Sequence, residues 1–154
     1  MPAFFLESSA AAKLYVFETG SKWVADLLER DTENQFFVTR ITPIEIAAVI
    51  FRRVKAGRLG RSVAAGAIES LREDVGEIFR IVDVSPELCD VALDVAEKYA
   101  LRGYDCVQLA ASLLTQKYRH VAGQSSVIFV GSDIELNSAA RAECFDVRNP
   151  NDYP

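Results

Sequence analysis

Residues 3–16 read AFFLESSAAAKLYV, and the change of character at Glu7 decides the fold class. The apolar run before Glu7 is uniform, which predicts a strand buried on both faces and not a half-exposed one. After the acid, Ser8 or Ser9 opens an alanine-rich segment whose Lys13 and Leu14 suit a helix. One short stretch therefore passes from strand, through a carboxylate, into helix.

The same switch recurs outward along the chain. Gly20 and Ser21 end the first segment and begin an amphipathic stretch with Trp23, Val24, Leu27 and Leu28 on one face. A strand is predicted over 36–39. Thr42, Pro43 and Glu45 then supply a hydroxyl cap, a proline at the first helical position and an acid three residues after the cap. That helix turns Ile46, Val49 and Ile50 inward and stops near Gly57. A long helix is expected over 61–77 and a third strand over 79–84.

Ser85 and Pro86 repeat the cap-then-proline signal, and Leu88, Val91, Ala92, Val95 and Tyr99 recur at helical spacing. YDCVQLAASLL opens a further helix with Asp105 in its first turn. Residues 127–130 form a β-branched and aromatic strand, Asp133 caps a short helix through Leu136, Ala139 and Ala140, and a last strand covers 145–147. Residues 149–154 are expected to be an irregular end. Strands that alternate with helices and are mostly apolar indicate a three-layer α/β/α sandwich on a parallel sheet. With no internal repeat and no linker, residues 1–154 read as a single domain.

The 154 residues are 50% apolar and 25% charged, enough to bury roughly two-thirds of the surface of the unfolded chain. Apolar runs fall short of the ~18 residues a membrane span needs, so a cytoplasmic location and no membrane partner are expected. Cys89, Cys106 and Cys144 fit neither a disulfide framework nor a zinc knuckle and read as buried free thiols. A net charge of −5 argues against nucleic-acid binding through overall electrostatics. Yet no acid occurs from Ile46 to Ile68, where Arg52, Arg53, Lys55, Arg58 and Arg61 form a local basic surface suited to RNA phosphates or an acidic partner.

Glu7, Glu45, Asp105 and Asp133 each stand at a junction between strand and helix or at a helix start. In a parallel sheet the ligand crevice lies outside the carboxyl ends of the strands, so acids at successive junctions converge. Each also has an ordinary role: Glu45 completes a capping box with Thr42, and Asp105 and Asp133 meet the positive end of a helix dipole. Glu7 is costly to bury unpaired. Together the four suit a hard cation, Mg²⁺ or Mn²⁺, which takes oxygen ligands and requires no histidine. The sole histidine, His120, is placed at a solvent-facing helix end, so a multi-histidine zinc site is excluded. No glycine-rich phosphate loop or GxGxxG is present. Asp90, Asp94 and Glu97 share a helix face that reads as solvated, with Asp94 in reserve as a ligand.

LESSAAAKLYV with Glu18 and Gly20, TPIEIAAVIFR, LRGYDCVQLAAS, and FVGSDIELNSAA followed by FDVRNP together resemble the PIN-domain family, especially its VapC-type ribonuclease toxins, over nearly the whole chain. The resemblance implies strand order 3-2-1-4-5 and an acidic pocket that holds Mg²⁺ or Mn²⁺ and hydrolyses RNA phosphodiesters. It also implies a cognate antitoxin that holds the enzyme inactive, and a homodimer. By position, Glu7, Glu45, Asp105 and Asp133 would be the catalytic metal ligands, with Ser8 and Ser132 as polar helpers. The family has aspartate where this chain has Glu7. The extra methylene moves the carboxylate by about 1.5 Å, and a misplacement of about 1 Å costs on the order of a hundredfold in rate. A catalytically weak module that binds RNA or protein without cutting is the alternative expectation.

Overall fold

Ala3–Leu6 forms β1, the central strand of a five-stranded, wholly parallel sheet in the computed structural model, which describes residues 1–29 and 33–153. On one side β1 pairs with β2 (Gln35–Thr39), which pairs with β3 (Phe79–Val82); on the other it pairs with β4 (Val127–Val130), which pairs with β5 (Asp146–Arg148). The order is β3-β2-β1-β4-β5, as expected from the resemblance.

The connecting segments are α1 (Ser8–Ala11), continued by a 3-10 turn over Ala12–Leu14, then α2 (Ser21–Glu29), α3 (Thr42–Lys55), α4 (Arg61–Glu77), α5 (Pro86–Tyr99), α6 (Gly103–Val121) and α7 (Ile134–Ala142). All four residues of β1 are buried, and the pleat divides them between two layers. Phe4 and Leu6 join Phe36, Val38, Ala10, Ile46, Ile50 and Leu71. Phe5 joins Phe129, Leu88, Leu109 and Leu136 on the opposite face. Phe4 stacks on Phe36 at 5.5 Å and Phe5 on Phe129 at 5.8 Å between centroids. Burying each such side chain contributes about 1.5–3 kcal/mol. The Phe4 and Leu6 core, which takes in Ala10 and Ala11, and not intrinsic propensity, holds a helix as short as α1.

Several local readings change. Glu7, not Ser8 or Ser9, is the N-cap of α1, with its side chain accepting from the Ser9 amide. Thr42 lies inside α3, whose N-cap is Ile41, so the capping box with Glu45 is not formed. The Thr42 hydroxyl is instead 2.9 Å from the Thr39 hydroxyl at the end of β2. Ser85 and Asp133 do cap α5 and α7, each accepting from the amide three residues on. The end of the chain is built, not irregular: Pro150–Asp152 is a 3-10 turn and Tyr153 stacks on Trp23 at 4.8 Å. Gly20 lies beneath it with φ +84°, and a Cβ there would come within 2.4 Å of the Pro150 carbonyl. Pro154, the last residue of that expected tail, lies outside the described residues.

Only Cys106 of the three cysteines is buried. On α5 the inward face belongs to Leu88, Ala92 and Val95, which leaves Cys89 outside, and Cys144 sits at a left-handed turn with φ 65° after α7. Among the described residues no helix is long and apolar enough to cross a membrane.

The strand order positions the site. The chain runs outward from β1 to β3, returns across to β4 and runs outward again to β5. The carboxyl ends of β1 and β4 therefore meet at the topological switch point, where open α/β sheets bind ligands.

Candidate functional site

At that switch point an open cavity of about 490 Å³ is lined by Glu7, Glu45, Asp105 and Asp133. Four elements deliver them: Glu7 follows β1, Glu45 lies in the first turn of α3, Asp105 in the first turn of α6, and Asp133 caps α7 after β4. The structure brings all four sequence-predicted acids to one cavity. Asp94, the reserve candidate, is exposed on α5 beside Asp90 and Glu97 and does not line it.

The four carboxylates differ in what they already hold. Glu7 is buried, and its Oε1 accepts from the Ser9 hydroxyl and from the Ser132 amide at 3.0 Å, while its Oε2 accepts from the Ser9 amide at 2.9 Å. It thus ties the end of β1 to the end of β4. Burial pushes the Glu7 carboxyl up from its ordinary range, its bonds to Ser9 and Ser132 pull it back, and the charge of Asp105 pushes it further up. Its extra methylene has room because residue 131 is glycine: a Cβ there would lie 2.8 Å from Glu7 Cγ and 2.6 Å from Asn137 Oδ1.

Glu45 is held from one side. Its Oε2 accepts from the Ser8 hydroxyl and from Gln108 Nε2 at 2.9 Å. Gln108 is fully buried, and its amide also reaches the Ser8 hydroxyl at 2.7 Å and the Thr42 and Thr39 hydroxyls at 3.2 and 3.3 Å. Asp133 uses Oδ1 to cap α7 at 2.8 Å from the Leu136 amide. The Asp105 carboxylate makes no hydrogen bond among the described residues. Its carboxyl is pushed up by burial, by the charges of Asp133 and Glu45, and down by Arg102.

Of the two predicted helpers, Ser8 lines the cavity and donates to Glu45. Ser132 contributes its backbone N–H to Glu7, while its buried hydroxyl has no hydrogen-bond partner among the described residues. Gln108 was missed, although it lies three residues after Asp105 on the same side of α6, a spacing that puts two side chains on one face. Ser9, Thr39 and the lining residues Arg102 and Tyr104 were missed as well.

Among the described residues no three acids, histidines or cysteines converge tightly enough to cage an ion as they stand. The donor chemistry nevertheless fits a hard divalent cation. Among the described residues Asp105 has both oxygens free of hydrogen bonds, Asp133 has Oδ2 and Glu45 has Oε1, and the burial and repulsion that raise Asp105 are what a cation would offset. Glu7 has the least capacity left.

A family model described as PIN domain matches residues 4–116, which include Glu7, Glu45 and Asp105 and stop short of Asp133. No curated protein matches the sequence. Among solved structures, a toxin–antitoxin complex from Klebsiella pneumoniae matches with TM-score 0.60 and 16% identity over 96% of this chain and 97% of that one. FitAcB from Neisseria gonorrhoeae gives TM-score 0.62 and 15% identity, covering 96% and 97%. A protein from Pyrobaculum aerophilum gives 0.63 and 17%, covering 98% and 85%. At these identities the likeness is one of fold.

Proposed function

This chain belongs to the PIN domain family, and on that premise we propose that it is a Mg²⁺- or Mn²⁺-dependent endoribonuclease of the VapC toxin type, a single domain over residues 1–154 that a cognate antitoxin holds inactive. The observation that carries the reading is the convergence of Glu7, Glu45, Asp105 and Asp133 on one open cavity at the switch point of the sheet. One of the structures it resembles in fold, that from Klebsiella pneumoniae, is named as a toxin–antitoxin complex. On this reading it acts in the cytoplasm as a homodimer.

Bound there, a divalent cation would supply acidity to water and positive charge against that developing on the phosphate. Asp105, Asp133 and the free oxygen of Glu45 would hold it. Ser8 and Gln108 keep the other Glu45 oxygen turned inward, and Glu7 joins the ligand set at the cost of a bond to Ser9 or Ser132.

The test is cleavage of structured and unstructured RNAs with Mg²⁺, Mn²⁺ or chelator, parent against Asp105→Asn. Metal-dependent cleavage by the parent that chelator and Asp105→Asn abolish is the expected result. A second reading, a module that binds RNA or a protein without cutting, is favoured by one observation: the Glu7 carboxylate already accepts three hydrogen bonds, more than any of the other three acids. Inactivity of parent and variant with either metal, together with retained binding of the RNA, would establish it.

A further inference from the structure

Two cations are buried among the described residues, Lys13 and Arg119. A buried charge is costly unless it is paired. Lys13 has a carboxylate, Glu18 at 2.8 Å. Arg119, 6% exposed in the last turn of α6, has none among the described residues. Its guanidinium donates to neutral oxygens instead: Gln35 Oε1 at 2.6 Å, the Ser125 carbonyl at 2.9 Å and the Ser125 hydroxyl at 3.3 Å. The carboxyl end of α6 supplies about half an elementary charge at most, so the site keeps a positive excess.

A second guanidinium adds to it. Arg80 is the register partner of Phe37 in the parallel pairing of β3 with β2, which stands the two side chains on one face of the sheet, about 4.8 Å apart at the backbone. Arg119 lies over the same Phe37 ring, its Cζ 5.8 Å from the centroid. Burial, together with the charge of Arg80, pushes the Arg119 guanidinium down from its ordinary value. Arg80 itself is exposed and has no hydrogen bond or ion pair among the described residues.

Both arginines line an open hollow of about 480 Å³, with Phe37, Val82 and Leu114 as its apolar wall. That volume falls within the roughly 300–1,000 Å³ of small-ligand sites. The hollow shares no lining residue with the acidic cavity, and Arg119 stands about 21 Å along α6 from Asp105. Two acids also line it, but both are engaged: Asp83 by Arg40 at 2.7 Å, and Glu87 by Lys117 at 3.1 Å and by the Tyr118 hydroxyl. The groups left without a counter-charge are the arginines. Arg119 has used three of its five N–H donors, which leaves two, and paired guanidinium N–H groups match phosphate oxygens.

We propose that this hollow is a second binding site, for a small organic phosphate whose phosphate group is held by Arg80 and Arg119 and whose body lies on the apolar wall. The site stands apart from the ribonuclease reading and needs neither metal nor turnover.

The test is calorimetric titration of the full chain, in chelator, with inorganic phosphate, adenosine 5′-monophosphate, glycerol 3-phosphate and adenosine. One organic phosphate is expected to bind per chain, more tightly than inorganic phosphate, with no binding of adenosine. Either order of the two organic phosphates supports the site, and the tighter one tells whether the body it takes is a nucleoside or aliphatic. Arg80→Ala should weaken that ligand by roughly ten- to a hundredfold and leave the melting temperature of the free protein no lower, because Arg80 holds no protein group. Arg119→Ala also breaks the Gln35 and Ser125 bonds, so Arg119→Lys is the variant to use there; it keeps the charge, loses the fork and should weaken binding severalfold. Arg141→Ala, which removes an exposed cation of α7, should bind as the parent does. No saturable binding of any phosphate, adenosine bound as tightly as its monophosphate, parent-like affinity in Arg80→Ala, or an equal loss in Arg141→Ala would each overturn the proposal.

Discussion

The inner and outer walls of the acidic cavity carry the same chemical groups in opposite conditions. On the inner wall, Glu7 and one oxygen of Glu45 sit in a closed lattice of bonds with Ser8, Ser9, Gln108 and the Ser132 amide. Toward the mouth, Asp105 has no donor and is pushed up by burial and by Asp133 and Glu45, while Asp133 keeps one oxygen uncommitted. A buried carboxylate with its bonds made is held in place before any ion binds. One facing two other acids across a cavity is incomplete until a cation arrives. The inner wall is therefore framework, and the outer wall is where binding free energy is gained.

The largest effect that separates the walls should come from Asp105→Asn. It removes a carboxylate that has no hydrogen-bond donor of its own among the described residues, so metal-dependent cleavage should fall by a hundredfold or more while the metal-free protein melts no lower than the parent. A marked drop in melting temperature would place Asp105 in the framework and erase the distinction.

Gln108→Leu probes the other side. It deprives Glu45 and Ser8 of a buried donor, and a buried polar group left unsatisfied costs about 1–3 kcal/mol. Urea unfolding should register a loss of that size before any metal is added, with a weaker affinity for Mn²⁺ as a consequence. Intact stability would mean the Gln108 bonds are incidental.

A smaller effect is expected from pH. The folded protein holds the Asp105 proton more tightly than the unfolded chain does. The stability this provides is complete below the ordinary aspartate value of about 4 and is lost as pH rises through the raised folded value. Glu18 and Glu143, whose carboxyls lie low because of Lys13 and Lys98, act in the opposite sense, but equally in parent and variant. The melting temperature of Asp105→Asn minus that of the parent should therefore grow with rising pH in chelator and shrink when Mn²⁺ is added. A difference independent of pH would contradict the raised Asp105 carboxyl.

The contrast between the walls also marks what could be read in advance. The four acids were legible because each occupies a place where an apolar run gives way to a helix, and that change of period is local. Their partners were not. Gln108 reaches Ser8 and Thr39 across a hundred and 69 positions of chain, a meeting made by the strand order and by the inward face of α6. Thr42 reads as a cap when only its neighbours are considered, but the Thr39 hydroxyl competes for it. Tyr153 on Trp23 likewise depends on a contact that no local pattern encodes.

Glu7 joins the two walls and gives the finest test of the comparison. Its added methylene fits the space left by Gly131 and carries the carboxylate into the Ser9 and Ser132 bonds. In Glu7→Asp the shorter side chain releases those bonds and turns the charge toward the cavity. The variant should lose about 1 kcal/mol of stability and gain affinity for Mn²⁺, with a severalfold rise in cleavage. In Glu7→Gln the shape is kept, but the amide nitrogen cannot accept, so it meets the Ser9 or Ser132 N–H as one donor facing another. It should be less stable than Glu7→Asp and bind Mn²⁺ more weakly than the parent. Calorimetric titration of all three proteins with Mn²⁺, alongside their unfolding curves, decides the matter. If Glu7→Asp gains no metal affinity and Glu7→Gln loses none, Glu7 is framework alone, and the ion is held by Glu45, Asp105 and Asp133.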